Sequence, residues 1–414
     1  MPLFHLPTMR RHERATLNYS YAGEFGRGAF MALCRDFALL VAVTHFGVTN
    51  RWLLWIISSA SFAGFLLALS SSSLSSRWRK KSVIRTIEVV ARLLVLAAAL
   101  AFGGTSFVVL MGAGIAIGTL SVPLVSGIYG ANFSTDVRGH AVGRLQAISV
   151  GTSALTGLLL GTVMDVSTSF YRPLLAVVAG VSLGCAWYTW RLPESKRGMA
   201  EAEGQGLKAA AQVMVHDRPF MYLELVWFIL GLSNLWLNPI RILHLAEMGF
   251  SKGQIMFATT TVGYTSMVLA TGLWGRLLYR MNFAVYRALT VLLFMIGIII
   301  FFHSKSFPVI CFASALWATG LAGGGLSWRL VATFFARRAQ VPTYMSVHTF
   351  LCGIRGVLGP FLSLQLHQTH DTVFISHLSL IGMGISVLML IPLAPVIAKR
   401  RTAVESRSDT VLDE

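Results

Sequence analysis

Hydrophobic positions in this chain fall in long blocks rather than in the short periods of a water-soluble fold. Twelve windows of about 20 mostly apolar residues, the length that crosses roughly 30 Å of hydrocarbon at 1.5 Å per residue, lie near 21–43, 52–74, 86–103, 106–129, 145–164, 172–190, 219–243, 254–274, 285–303, 307–335, 343–366 and 373–397. Short polar connections separate them. Apolar residues run around the whole circumference of these segments, which predicts helices whose outer faces meet lipid. Span 1 is the exception, because it carries Glu24, Arg27, Arg35 and Asp36. Each such charge at mid-bilayer costs about 2.5–3.5 kcal/mol.

Composition supports the reading. Of 414 residues, 55% are apolar and 12% charged, where a soluble domain has roughly a quarter charged. Thirty-four Lys and Arg against 17 Asp and Glu give a net charge of +17, a surplus that in a soluble protein suggests nucleic acid. Its distribution says otherwise. The basic residues sit in the connections, with Arg10, Arg11 and Arg14 before span 1, a cluster from Arg77 to Arg85, and a basic tail from Lys399. With twelve spans and both termini cytoplasmic, the external connections keep only Arg51, Arg172, Lys252 and Lys305, the asymmetry that orients membrane helices. Omitting span 1 would move Arg10, Arg11 and Arg14 outside, so it is retained. Met1 to Ser20 has no apolar stretch ending at a small-residue cleavage site, unlike a signal peptide.

The chemistry absent from the sequence narrows the function classes. Cys34, Cys185, Cys311 and Cys352 each stand alone in an apolar run, which predicts neither disulfides nor a metal site. No phosphate-binding G-x-x-x-x-G-K-[ST] loop and no hydrolytic constellation is present, so no cofactor is expected, and neither an enzyme nor a nucleotide-driven pump. The partners implied are lipid and a small solute.

The segment from Arg191 to Arg218, with Pro193, Glu194, Lys196, Arg197, Glu201 and Glu203, reads as a cytoplasmic linker. It divides the chain into a six-helix half over 1–190, the linker over 191–218, a second half over 219–398 and a tail over 399–414. The halves repeat. The loop after span 2 reads Ser72-Ser-Leu74-Ser-Ser76-Arg77-Trp-Arg79-Lys80-Lys81, and the loop after span 8, half a chain away, reads Gly275-Arg-Leu277-Leu-Tyr279-Arg280. Ser121-Val-Pro123-Leu124-Val125 in span 4 likewise lies over Ser327-Trp328-Arg329-Leu330-Val331 in span 10. Both loops resemble the G-x-L-A-D-R-x-G-R-K loop of the major facilitator superfamily, with Ser76 and Tyr279 at its acidic position. Gly353-Ile-Arg355-Gly356-Val-Leu-Gly359-Pro360 is similar to that family's glycine-rich segment, where small residues permit close helix approach.

The resemblance implies an all-α membrane protein with twelve helices in two pseudo-symmetric six-helix bundles. It also implies secondary transport by alternating access, function as a monomer, and spans 1, 4, 7 and 10 around a central cavity. Arg77, Lys80, Lys81, Gly275 and Arg280 become the conformational loop residues.

Ionisable residues inside spans mark substrate or proton paths by default. Glu24, Arg27, Met31 and Arg35 share one face of span 1, although Glu24 and Arg27 at i, i+3 read equally as a self-neutralising pair. Span 7 holds Glu224 and Arg241, span 10 Trp328 and Arg329, and span 11 His348 and Arg355. Arg329 ranks first: it replaces Pro123 of the first half and follows a Gly323–Gly325 run read as flexible. The candidates for solute binding are thus Arg27, Arg35, Arg241, Trp328, Arg329 and Arg355, and for proton coupling Glu24, Asp36 and Glu224. His348 reads as a packing residue, and Arg85, Glu88 and Arg92 on span 3 as structural pairing.

Arginines outnumber carboxylates in this deep set, and guanidinium binds carboxylate or phosphate through two parallel hydrogen bonds. The expected solute is an anionic or zwitterionic organic molecule, moved with protons by symport or antiport. A broad-specificity drug/proton antiporter is the alternative; Phe30, Phe37, Trp227, Trp236 and Trp328 favour it and the arginines disfavour it. A second alternative is a non-transporting sensor or scaffold. Short connections suit a bacterial cytoplasmic (inner) membrane.

Overall fold

The computed structural model describes residues 9–70, 80–193, 207–336 and 340–397. Every regular element among them is a helix. The elements are α1 (Arg11–Ala32), α2 (Ala38–Thr44), α3 (Arg51–Ala63), α4 (Lys80–Ala99), α5 (Gly104–Thr119), α6 (Ser121–Asn132), α7 (Thr135–Val166) and α8 (Tyr171–Trp187). They continue with α9 (Leu207–His216), α10 (Arg218–Leu235), α11 (Leu237–Glu247), α12 (Lys252–Met256), α13 (Gly263–Arg280), α14 (Phe283–His303), α15 (Phe307–Phe335), α16 (Val341–Leu366) and α17 (Thr372–Leu390). Two π-helical turns, Leu33–Phe37 and Phe257–Val262, join α1 to α2 and α12 to α13. The helices form two compact units, Met1–Gly204 with Ser251–Thr261 and Gln205–Phe250 with Val262–Glu414. The segment Ser251–Thr261 thus packs with the first unit, apart from its chain neighbours. Residues 194–206, most of the predicted linker, lie outside the described residues, and α9 occupies part of the remainder.

In the first unit α1 passes against α7 and α8, and glycine sets how closely. A methyl group on Gly28 would run into the Ser149 carbonyl of α7, and one on Gly26 into Cys185 of α8. The gap is bridged by serines: Ser153 donates to the Gly28 carbonyl at 2.7 Å and Ser182 to the Gly26 carbonyl at 2.8 Å. Hydroxyls are favoured between close helices because they add a hydrogen bond without bulk. At the starts of α1 and α7, one carboxylate serves both: Glu13 Oε2 accepts the Arg10 amide at 2.8 Å and Oε1 the Ser134 amide at 2.9 Å. Helix N-termini leave amides unsatisfied, so a carboxylate there caps both and complements their dipoles. Asn132 adds to the same end by donating to Thr16 and to the Pro193 carbonyl.

The second unit packs α14 against α15 and α17, α13 against α15, and α10 against α16 and α17. Its helices keep their polar residues inside, among apolar ones, and show an apolar outer face. On α14, Tyr286, Arg287, Thr290 and Gly297 are buried, while Leu289, Leu292, Ile296 and Ile299 are exposed. Exposed Val177 and Val181 on α8 and Ile381, Ile385 and Leu388 on α17 repeat the pattern. A surface of this kind has lipid as its solvent, so the chain is a multi-pass integral membrane protein. The Gly323–Gly325 run, read as flexible, is ordinary helix inside α15. Gly323 fits against Trp274 and Thr290, and its carbonyl accepts the Tyr286 hydroxyl at 3.0 Å. The turns that need glycine are elsewhere: Gly47 and Gly249, with φ of 59° and 78°, end α2 and α11 in the left-handed region.

Among the described residues, eight helical stretches are at once long and apolar enough to cross a bilayer: Gly104–Ser126, His140–Val166, Thr168–Trp187, Arg218–Glu247, Phe283–His303, Phe307–Trp328, Thr343–Leu366 and Thr372–Leu390. Over the described residues the other four predicted windows also lie mainly on helix, and each has a reason to fall short. Window 21–43 carries four charges, and Arg51–Leu67 is short. Helix α4 contains Lys80, Lys81, Arg85, Glu88 and Arg92, and window 254–274 is broken by a π turn rich in threonine.

Two stability tests follow from the first unit. Gly28→Ala should cost about 1–3 kcal/mol through overpacking against Ser149. Gly151→Ala, where a methyl meets nothing within 4 Å, should be neutral or slightly stabilising; thermal unfolding in detergent separates them. Burial raises the affinity of the Glu13 carboxyl for a proton, but the Ser134 and Arg10 amides outweigh it and hold the group below its ordinary range. A depressed carboxylate contributes stability that is present above the unfolded-state value and lost as pH falls through the folded value. Wild type should therefore lose unfolding temperature below about pH 4.3 more steeply than Glu13→Gln, with wild type the more stable at pH 7.

Candidate functional site

Two buried charge clusters stand out, one in each unit. In the first, Arg27 of α1 donates to Glu88 of α4 at 2.9 Å, to Glu24 at 3.0 Å and to Tyr129 of α6 at 3.0 Å. Tyr129 also donates to Glu24 at 3.0 Å, and Glu88 accepts Thr189 at 3.2 Å. The Glu24–Arg27 contact is thus one edge of a network across three helices. Arg92 does not spend its guanidinium on the Glu88 carboxylate. It lies over the Phe30 ring at 4.5 Å, and its Nε donates to Ser182 at 3.0 Å. With two guanidiniums and two carboxylates, this cluster is close to neutral.

Asp36 occupies the first π turn, 2% exposed, and accepts the Thr260 hydroxyl of the second π turn at 2.7 Å. A π turn shifts the register of the side chains that follow it, and such turns recur at functional positions. Here two of them meet through a carboxylate and a hydroxyl, with Gly157 of α7 leaving room for Thr260.

The second unit holds the more unusual cluster, gathered around Trp227 of α10. His348 of α16 places Nδ1 at 2.8 and 2.9 Å from the two oxygens of Glu224, and the pair is 0% and 1% exposed. The His348 ring packs against Trp227 at 4.8 Å and Trp328 at 5.1 Å. Arg287 of α14 lies over Trp227 at 5.2 Å, and its Nη1 donates to Ser327 at 3.1 Å and Thr290 at 3.3 Å. Arg355 of α16 donates through Nη1 to the Trp227 carbonyl. Glycines make the space: a methyl on Gly231 would run into the Arg355 guanidinium, and one on Gly324 would lie 3.1 Å from Arg287 Nη1.

Two guanidiniums, 5% exposed each, thus share one carboxylate and one imidazole. Buried charge is stable only when paired and hydrogen-bonded. Trp227 Nε1, Arg287 Nε and Arg355 Nε, all N–H donors, are buried and have no acceptor among the described residues, and His348 Nε2 is likewise unpartnered among them. Buried donors without partners are rare and call for an explanation. Unpartnered N–H donors and a surplus of guanidinium are the chemistry that pairs with acceptor atoms and negative charge.

Of the residues expected from sequence, Arg355, Trp328 and Glu224 come together here, and Glu24 and Arg27 in the first cluster. Arg241 on α11 is buried, with its guanidinium over the Trp317 ring at 5.7 Å. Met31, placed on the polar face of span 1, is exposed. Arg35 and Arg329 lie on helix, but their side chains are outside the described residues. Of the loop set, Arg77 and the Lys80 side chain are outside them too; Lys81 is half-buried near the start of α4, Gly275 is within α13, and Arg280 is exposed at its end. Sequence reasoning left out Tyr129 and Arg287, took His348 for packing, and took Glu88 and Arg92 for structural pairing, which Glu88 makes with Arg27. Arg287 had a signal: it shares the inward stripe of α14 with Phe283, Tyr286, Thr290 and Phe294, all buried.

Comparison with known proteins agrees with this architecture. The family model described as "Major Facilitator Superfamily" matches residues 28–360. Among solved structures, a point mutant of the nucleoside transporter NupG aligns with a TM-score of 0.71 at 12% identity, covering 93% of this chain and 99% of its own. The xylose transporter XylE from E. coli in its inward-open conformation aligns with a TM-score of 0.69 at 14% identity, covering 92% and 96%. A D-xylose-proton symporter gives a TM-score of 0.69 at 13% identity, covering 92% and 98%. Comparison with curated proteins finds no match. The family match spans most of the sequence and the helical fold extends over nearly all of it: the chain belongs to the major facilitator superfamily, a transporter and not an enzyme.

Proposed function

We propose that this protein is a secondary active transporter that moves a small anionic or zwitterionic organic solute across a bacterial cytoplasmic membrane by alternating access, coupled to protons. It has twelve spans and both termini in the cytoplasm, with the basic connections inside. The observation that carries the solute class is the cluster around Trp227. Arg287 and Arg355 are buried beside a single carboxylate, and three N–H donors among them lack acceptors. A carboxylate or phosphate on the solute supplies both the missing charge and the missing acceptors. Arg35 and Arg329 add positive charge to the helices of spans 1 and 10.

Proton coupling rests on the Glu224–His348 pair, with Asp36 and Glu24 as further carriers. When Glu224 is ionised, His348 Nδ1 must hold a proton to donate to it, and neutral His348 presents a bare Nε2 to the cluster. A proton added to the pair turns that Nε2 into a further donor. Protonation and anion binding then favour each other, which is what symport requires.

Thermal unfolding of purified protein against a panel of organic acids, nucleosides and pentoses tests the solute class. Stabilisation grows with ln(1 + [L]/Kd) for any ligand that binds the native state. The reading expects an organic acid to stabilise and uncharged members to be silent. Stabilisation by a nucleoside or xylose alone would contradict it, and stabilisation by lipophilic cations would favour drug efflux. Binding without movement in proteoliposomes would favour a sensor. With the solute in hand, Arg355→Ala or Arg287→Ala should weaken its binding by about 2–5 kcal/mol. In proteoliposomes, Glu224→Gln should keep counterflow exchange yet lose uphill accumulation under a pH gradient; retained accumulation would remove Glu224 from the coupling path.

A further inference from the structure

At the end of α14 two exposed histidines from separate helices are in contact. His303 closes α14, ahead of the polar connection Ser304-Lys305-Ser306, and His377 stands in the second turn of α17. They lie 74 residues apart in sequence, with their Nε2 atoms 3.2 Å apart. The ring centroids are 5.1 Å apart, so the rings meet by their nitrogen edges and do not stack face to face.

The tautomer of one ring is fixed by its surroundings. His303 Nδ1 lies 2.8 Å from the Ile299 carbonyl, and a carbonyl can only accept, so Nδ1 carries the proton. In neutral His303 the Nε2 facing His377 is therefore a lone pair. A histidine whose outer nitrogen donates to a backbone carbonyl while the other nitrogen is bare is the arrangement that orients and strengthens a metal ligand. The separation fits as well. Two imidazole nitrogens each about 2.0–2.1 Å from a tetrahedral Zn²⁺ stand about 3.3 Å apart, against 3.2 Å here.

We propose that His303 and His377 form a two-histidine site for a borderline divalent metal such as Zn²⁺, water completing the coordination. Imidazole suits Zn²⁺, Cu²⁺ and Ni²⁺ and not Mg²⁺ or Ca²⁺. Without metal, one proton bridges the two nitrogens, donated by His377 to His303; binding requires only that His377 carry its proton on Nδ1. No group of three or more His, Cys, Asp and Glu is arranged around a metal among the described residues, so the affinity is that of a two-ligand site. Of the other histidines of this unit, His244 meets Thr372 through Nδ1 at 2.7 Å. His370 stacks on Phe374 at 4.3 Å and contacts Thr369, and His367 meets Glu247 at 3.0 Å. Bound metal would tie the end of α14 to the start of α17, two helices that pack within the second unit.

The test uses full-length protein with any affinity tag removed, because a polyhistidine tag would itself bind the probe. Zn²⁺ titration should raise the unfolding temperature saturably, with one ion per chain by equilibrium dialysis, and a chelator should reverse it. His303→Ala and His377→Ala should each weaken binding by ~10-fold or more, while His370→Ala should leave it unchanged. His303→Gln, a milder change, checks that the loss is not misfolding, since its unfolding temperature without metal should equal that of wild type. An equal response in the His303→Ala/His377→Ala double variant, or no bound Zn²⁺ in wild type, would overturn the proposal.

Discussion

A guanidinium removed from water must be given back its counter-charge, and the second unit depends on that constraint. Arg287 and Arg355 are buried among Trp227, Trp328, His348 and a single carboxylate, Glu224. The penalty for each uncompensated ion is several kcal/mol even after relaxation. Stacking of Arg287 over Trp227 and hydrogen bonds to Ser327, Thr290 and a backbone carbonyl offset part of it. Gly231 and Gly324 show that the packing itself gives way to the two side chains. That surplus of guanidinium, with donors unpartnered among the described residues, is the basis of the proposed anion site.

The first unit handles the same problem differently. Arg27 spends both Nη atoms on Glu24, Glu88 and Tyr129, its Nε being unpartnered among the described residues, and Arg92 packs on Phe30 and donates to Ser182. Those contacts make α1, α4, α6 and α8 one rigid polar framework, held close by Gly26 and Gly28. The ionisable group set apart from it is Asp36, on a π turn against Thr260. The Arg27 cluster matches its two guanidiniums with two carboxylates, whereas the cluster around Trp227 sets two guanidiniums beside one, and that surplus is why the proposed solute site is placed there.

The membrane class and the helical segments were legible because lipid imposes them: with no water to satisfy the backbone, apolar helices are the economical solution, and over the described residues each predicted window lies mainly on helix. The family resemblance, read from the two repeat loops and the glycine-rich segment around Gly353–Pro360, agrees with the match over residues 28–360. Charge inside spans pointed correctly to burial at Arg27, Asp36, Glu224 and Arg355. What the sequence could not give was pairing. Glu88 looked like the neighbour of Arg92 because they are four residues apart, yet its carboxylate reaches across to Arg27, 61 positions away. His348 looked like packing because nothing local marks its 124-residue link to Glu224. Arg287 was lost to the loop count because it lies within two turns of a helix end, where arginines usually reach out to water. Its place on the inward stripe of α14 was the stronger signal.

The central claim is that Arg287 and Arg355 receive the negative charge of the solute through donors left open in the apo protein. Nitrogen-15 NMR of arginine-labelled protein, with each resonance assigned by substitution, reads those donors directly. Adding the transported acid should move the Nε–H signals of both residues toward the strongly hydrogen-bonded range and leave that of Arg27 in place. Unmoved Arg287 and Arg355 signals at saturating solute would contradict the account.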